Sequence, residues 1–206
     1  MSTQKQQRGF SLLELMISVT ILTLVSGSVL LFMKNQQSYR AEQTYATAVE
    51  NARIAIDTIC RYLRQAGNNP QAATFIPLSY SSNTLTIRSD LTGSKASGNP
   101  LDSSGDPDKQ LTAAFEQITV KYESDTHRIL LDVGYGEDTL ADNISGLAFQ
   151  FLDSTGTATA DMAQVSEVTV TMKADSSESD SRTGKHNSIT LTSRAFLRSR
   201  GFTPLG

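Results

Sequence analysis

"KQQRGFSLLELMISVTILTLVSGSVLLFM", residues 5–33, sets a single carboxylate, Glu14, near the start of a long apolar run. A helix over residues 10–33, roughly two dozen residues at about 1.5 Å each, is long enough to cross a hydrocarbon core of about 30 Å. A charge in such a place costs about 2.5–3.5 kcal/mol on insertion scales, so it normally marks a function. Ahead of the run stand Lys5 and Arg8 and no acid. By the positive-inside rule, this leader stays in the cytoplasm and the rest of the chain lies outside.

Two bland readings compete for this segment. A secretory signal peptide has an apolar core of about 7–15 residues followed by a small-residue cleavage site. "VSGS", residues 25–28, could serve as that site, but Glu14 then sits inside the core. A plain transmembrane anchor accounts for the length and leaves both Glu14 and the Arg8-Gly9-Phe10 junction without a role.

The totals act mainly by exclusion. A chain of 206 residues, 38% hydrophobic and 19% charged, is within the range of one folded domain plus an appendage. Its net charge of −3 gives no electrostatic footprint for nucleic acid, whose binders carry a basic patch. The densest basic cluster, Arg194, Arg198 and Arg200, reads as a solvated strand end. A single cysteine, Cys60, rules out an intramolecular disulfide and any Cys/His metal cluster. The two histidines are His127, at a strand start, and His186, in a polar loop. No nucleophile elbow or P-loop accompanies them, so neither an enzyme nor a cofactor is expected.

Beyond residue 33 the helical pattern continues with different chemistry. Tyr45, Val49, Ala52, Ile56, Ile59, Leu63 and Ala66 advance in steps of three and four, which predicts one apolar stripe. Glu50, Arg53, Asp57, Arg61 and Arg64 run beside it, with Glu50/Arg53, Arg53/Asp57 and Asp57/Arg61 spaced for pairing. Gly67 is a natural helix stop, and Pro70 follows. Cys60, beside the stripe, reads as a buried inert thiol.

Past Pro70 the apolar period changes to two. "NTLTIRS", "EQITVKYES", "HRILLDV", "ISGLAFQFLD", "SEVTVTMKA" and "SITLTSRAFLRS" each predict a strand with one buried face. Leu147, Phe149 and Phe151 share a face of one strand, and Val168, Val170 and Met172 share a face of another. An antiparallel sheet packed on the helical stripe follows, an α+β architecture. "SKASGNPLDSSGDPDKQ" and "ADSSESDSRTGKHN" read as loops. The first offers Asp102, Asp106 and Asp108 as weak calcium candidates. It departs from the EF-hand pattern, and a solvated loop without metal is the expectation.

"RGFSLLELMISVTIL" resembles the class III signal of type IV prepilins and pseudopilins: a short basic leader ending in glycine, then phenylalanine, then an apolar helix with a glutamate four residues on. Those positions are Gly9, Phe10 and Glu14 here. The resemblance implies cleavage between Gly9 and Phe10 by a membrane-embedded prepilin peptidase and N-methylation of Phe10. It also implies an assembly role for Glu14, as partner of the new amine on a neighbouring subunit. The organisation it implies is a leader at 1–9, a transmembrane and assembly helix at 10–33, an amphipathic half at 34–67 and a sheet domain at 68–206. Together these make the ladle of pilin-like proteins.

"ENARIAIDTICRYLRQAGNNP", "NISGLAFQFLDSTG" and "SITLTSRAFLRSR" resemble PilW-type minor pilins and, more distantly, the J-type minor pseudopilins of type II secretion. Many major pilins carry a helix proline where Leu31 stands, and a disulfide-closed C-terminal region. Both are absent here, which argues against the main filament subunit and leaves Gly27, between Ser26 and Ser28, as the weak point of the helix. The implied partners are prepilin peptidase, other major and minor pilins, the inner-membrane assembly platform and, before assembly, membrane lipid. The implied location is the inner membrane of a bacterium with the globular domain periplasmic, then a surface pilus or a periplasmic pseudopilus.

Overall fold

The computed structural model describes residues 11–69, 74–91, 110–179 and 184–197. One helix, α1 (Leu12–Gln65), dominates it. At 54 residues it runs about 80 Å. Ser11 enters it in an extended conformation, and the helix passes through Gly27 without a break. It stops at Gly67, whose φ of 73° is the left-handed turn that glycine adopts without a Cβ penalty. The Gly67 N–H then donates to the carbonyl of Arg88 at 2.8 Å, tying the helix end to the sheets.

Two antiparallel meanders follow. The first has five strands in sequence order: β1 (Leu78–Ser81), β2 (Thr84–Arg88), β3 (Gln117–Glu123), β4 (Arg128–Asp132) and β5 (Glu137–Asp142). The second is β6 (Ile144–Leu152), β7 (Glu167–Ser179) and β8 (His186–Phe196). Thus the single sheet read from the sequence is two, and the chain passes between them through Asn143, at φ 61°. Asparagine tolerates that left-handed conformation better than most residues. Ser82 and Asn83, at φ 50° and 59°, make the two-residue turn between β1 and β2 that the twist of a hairpin favours.

The period-two pattern lands on the buried faces. Leu85, Ile87, Ile118, Val120 and Ile129 are buried in the first sheet, with Leu85 opposite Val120 and Ile87 opposite Ile118. In the second, Leu147, Phe149 and Phe151 face Met172, Val170 and Val168 in register, so the two triplets picked out by pattern are cross-strand partners. Helix α1 packs on β5, β7 and β8. Its buried face is Ala41, Ala48, Ala52, Ala55, Ile56, Ile59, Cys60, Tyr62, Leu63 and Ala66, rich in alanine, which lets the helix lie close to the strands. Tyr45 and Val49, read as part of the stripe, are only half-buried at its edge.

Three expectations change. Strands β1 and β5 add to the six that the alternation marks. "ADSSESDSRTGKHN" is not simply a loop, because β7 continues to Ser179 and β8 begins at His186. The spaced charges on α1 form no ion pair with one another; instead the Arg61 guanidinium lies 5.1 Å from the Tyr62 ring centroid. Exposed pairs on a helix gain only a few tenths of a kcal/mol, about 0.3–0.5, so solvation competes with them on equal terms.

Candidate membrane and assembly helix

The first turns of α1 carry the site. Glu14 lies in the first turn, where a negative charge complements the four free backbone N–H groups and the positive end of the helix dipole. The Glu14 N–H donates to the Ser11 carbonyl at 3.0 Å, and the Glu14 carbonyl accepts the Ser18 hydroxyl at 2.8 Å. Its side chain is exposed, and among the described residues no cation pairs with it. Gly9 and Phe10 lie outside the described residues.

Around and beyond Glu14 the helix is bare. The large apolar side chains of residues 12–33 keep between 51% (Val29) and 76% (Leu12) of their surface exposed, so none of the helix faces is covered by the rest of the chain. This is the stretch long and apolar enough to cross a membrane, and none of it is buried within the protein. Most of its hydroxyls bond to the carbonyl one turn back, Ser26 being without such a bond. Thr20 donates to Met16 O at 2.8 Å, Thr23 reaches Thr20 O at 2.8 Å, and Ser28 donates to Val25 O at 2.8 Å. In hydrocarbon each such group must find its partner inside the segment, and these do. Glu14 is the one charged group in the span, and no cation among the described residues pairs with its carboxylate.

Residues 4–30 match the prokaryotic N-terminal methylation motif. This match supports a type IV pilin-like protein, and the family that carries the motif is structural rather than catalytic. The motif implies processing by prepilin peptidase and assembly with other pilins, and the bare apolar helix fits membrane anchoring. No curated protein matches the chain.

The remaining candidates fall elsewhere. Asp102, Asp106 and Asp108 lie outside the described residues. Among the described residues no group of three or more His, Cys, Asp or Glu side chains is placed to hold a metal. Fully buried Glu116 accepts the N–H groups of Leu91, at 3.2 Å, and Ala113, at 2.9 Å, joining the chain on either side of that segment. Cys60 is 1% exposed, as its place beside the stripe suggested.

The histidines, far apart in sequence, line one hollow of about 330 Å³ with Asn143, Ser145, Asp175, Ser176 and Ser177. His127 occupies the β3–β4 turn at φ 54°, and His186 opens β8 with Nδ1 2.8 Å from the Ser176 carbonyl oxygen. With the carbonyl as acceptor, that ring nitrogen carries the proton, which makes the contact a structural hydrogen bond. Periodicity gave no sign that these two residues meet, because their proximity depends on how two separate sheets adjoin.

Proposed function

We propose that the chain is a minor pilin of the PilW type, which enters or primes a type IV pilus after its leader is removed. The observation that carries this reading is a helix of two characters. One half is clamped under two sheets, and the other is entirely bare, apolar and interrupted by one carboxylate in its first turn.

Cleavage between Gly9 and Phe10 releases an α-amino group with an ordinary pKa of about 7.7–8.0, a cation held at the membrane surface. Glu14, one helical turn on, is the complementary anion. Leaving either charge unpaired in an apolar setting is costly, so the Glu14 of an arriving subunit is drawn to the amine of its neighbour. That contact sets axial register while the apolar surface passes from lipid to other pilin helices. In this reading residues 1–9 are leader, 10–33 membrane and assembly helix, 34–67 the clamped half and 68–206 the periplasmic domain.

Intact-mass analysis of the membrane-extracted chain tests the processing step. The expected species begins at a methylated Phe10; a chain that retains Met1, or one cut near Ser28, refutes it. Recovery of the mature chain in sheared surface filaments supports the pilus assignment. Confinement to the cell envelope with a secretion defect on deletion points instead to the J-type pseudopilin.

A further inference from the structure

We propose that the outer edge of β8 binds an extended segment of another protein, which joins the second sheet beside β8 and lays alternate side chains on α1. Residues Ser188–Phe196 pair without interruption with Glu167–Asp175. In an antiparallel strand every second residue turns both its N–H and its C=O to the same side, so about half of them face away from β7. Among the described residues no strand pairs with that side. The edge is about 30 Å long and carries one charge, Arg194, and no proline. Exposed edges are usually short, or blunted by lysine, proline or a bulge, and an unblunted one is a template for strand addition.

The surface beside this edge suits a chain of alternating character. Ile189 and Leu191, opposite buried Ala174 and Met172, face α1 and are themselves only half-buried. Ile189 lines a hollow of about 560 Å³ against the helix, with Tyr45, Ala46 and Val49 as its apolar floor and Glu50 and Arg53 on its rim. A strand bonded to β8 continues the pleat over that floor, so its helix-side residues are apolar. Its other residues stand beside exposed Thr190, Thr192 and Arg194, where polar side chains fit. Glu50 and Arg53 form no ion pair among the described residues, and they offer one charge of each sign a helical turn apart. The complementary segment therefore alternates apolar and polar residues and carries an acid and a base, with little net charge.

A second copy of this chain does not meet that description. Ser176 touches Ala41 and Thr44, while Ile189, opposite Ala174, lies against Tyr45 and Val49. Strand β7 thus descends toward the membrane half of α1, and β8 rises with the helix. Two copies anchored side by side in one membrane hold their β8 strands parallel, whereas antiparallel pairing of the two edges turns one copy upside down. This step alone rests on the membrane-anchoring reading of α1.

The test uses the full chain in detergent and a short fluorescent peptide, acetylated and amidated, with valines at alternate positions, threonines between them, and one glutamate and one lysine. Two further versions carry N-methyl groups on one or the other alternate set of amides. Fluorescence anisotropy should show saturable binding of the unmodified peptide. Methylation of one set should weaken it about tenfold or more and methylation of the other should change it little, because only one set of amides can donate to β8. Ala46→Arg, at an exposed helix position where the longer side chain fills the hollow, should weaken binding of the unmodified peptide to a similar degree. No saturable binding, equal binding of all three peptides, or indifference to Ala46→Arg overturns the proposal. Sedimentation of the chain alone checks the other occupant: a dimer that the peptide dissociates gives the edge to a second copy and overturns the assignment to a different protein. None of these measurements depends on leader cleavage, so failure here leaves the processing test of the pilin reading untouched.

Discussion

The hydroxyl oxygens of Thr44 and Ser176 stand 3.0 Å apart across 132 positions of sequence, joining α1 to β7 where the buried face of the helix begins. Ser176 is 3% exposed and has one hydroxyl hydrogen. Its shortest acceptor is the Glu178 carbonyl at 2.7 Å, while the Thr44 hydroxyl also has the Ala41 carbonyl within reach at 3.1 Å.

Ser176→Ala removes the hydroxyl partner of Thr44 and the donor to Glu178 at a buried position, and is expected to destabilise the fold by about 1–3 kcal/mol. Thr44→Val is milder, because Ser176 keeps its bond to Glu178. Denaturant unfolding of the full chain in detergent, taken through a double-mutant cycle, should return a coupling of about 0.5 kcal/mol or more. Additive effects would mean that the two hydroxyls are neighbours without an energetic link.

Removal of side chains from the clamped face should separate buried from exposed positions on one helix. Ile56 is 4% exposed and Leu63 fully buried, so Ile56→Ala and Leu63→Ala are each expected to cost about 2–5 kcal/mol. Arg53→Ala and Arg64→Ala, on the exposed side, should cost no more than about 1 kcal/mol. Ala52→Leu tests the close approach itself: at a fully buried alanine the added atoms have no room, and about 1–3 kcal/mol is lost to overpacking. The same unfolding measurement reads all five variants, and a uniform loss across them would place the wrong face under the sheets.

What could be read from the sequence follows from how local the signal is. The stripe on α1 and six strands were legible because burial there repeats at 3.6 or 2.0 residues. Strand β5, "EDTLAD", buries only Ala141, and β1, "LSYS", buries only Leu78, so neither presents an alternation to detect. The end of β7 is serine and acid throughout, yet it is strand because pairing with β8 and the contact of Ser176 with α1 override weak propensity. Division into two sheets depends on the left-handed Asn143, which composition does not distinguish from an ordinary turn residue. Glu14 was legible for the opposite reason: a carboxylate in an apolar run stands out with no knowledge of its surroundings. The pairing of Thr44 with Ser176, and of His127 with His186 around one hollow, is long-range and had no local signature.

Strong acid should weaken the β6–β7 loop. The Asp153 carboxylate accepts the Thr155 hydroxyl at 2.6 Å and the N–H groups of Thr155 and Thr157 at 2.8 and 3.0 Å. The Thr155 hydroxyl first, then these backbone donors, hold its pKa below the ordinary aspartate value. The folded chain therefore binds this proton less readily than the unfolded chain. The resulting stabilisation is complete above the unfolded pKa of about 3.9 and disappears as pH falls through the lower folded value. NMR titration should find Asp153 ionised below the usual range, and Asp153→Ala should flatten the acid limb of stability without altering its neutral plateau in slope. An ordinary Asp153 titration would remove the loop from the acid response.

Glu14 offers the sharpest test of assembly. Glu14→Gln should leave leader cleavage largely intact, because the leader and Gly9 are its determinants in the proposed processing. Membrane insertion should be retained or improved, since an amide is less costly in hydrocarbon than a charge. Entry into filaments should fall, because the amine at Phe10 of the neighbouring subunit loses its counter-charge. Glu14→Lys should be worse, placing a second cation where the first had a partner, and removal of one member of a buried pair typically costs about 3–5 kcal/mol. The measurement compares membrane and sheared-filament fractions for wild type and both variants in cells without the native copy, with intact mass read on each membrane fraction. Cleaved, membrane-bound Glu14→Lys that reaches filaments at the wild-type level would show that the carboxylate is a passenger in the apolar helix. The register-setting contact would then have to come from the apolar surface of residues 12–33 alone.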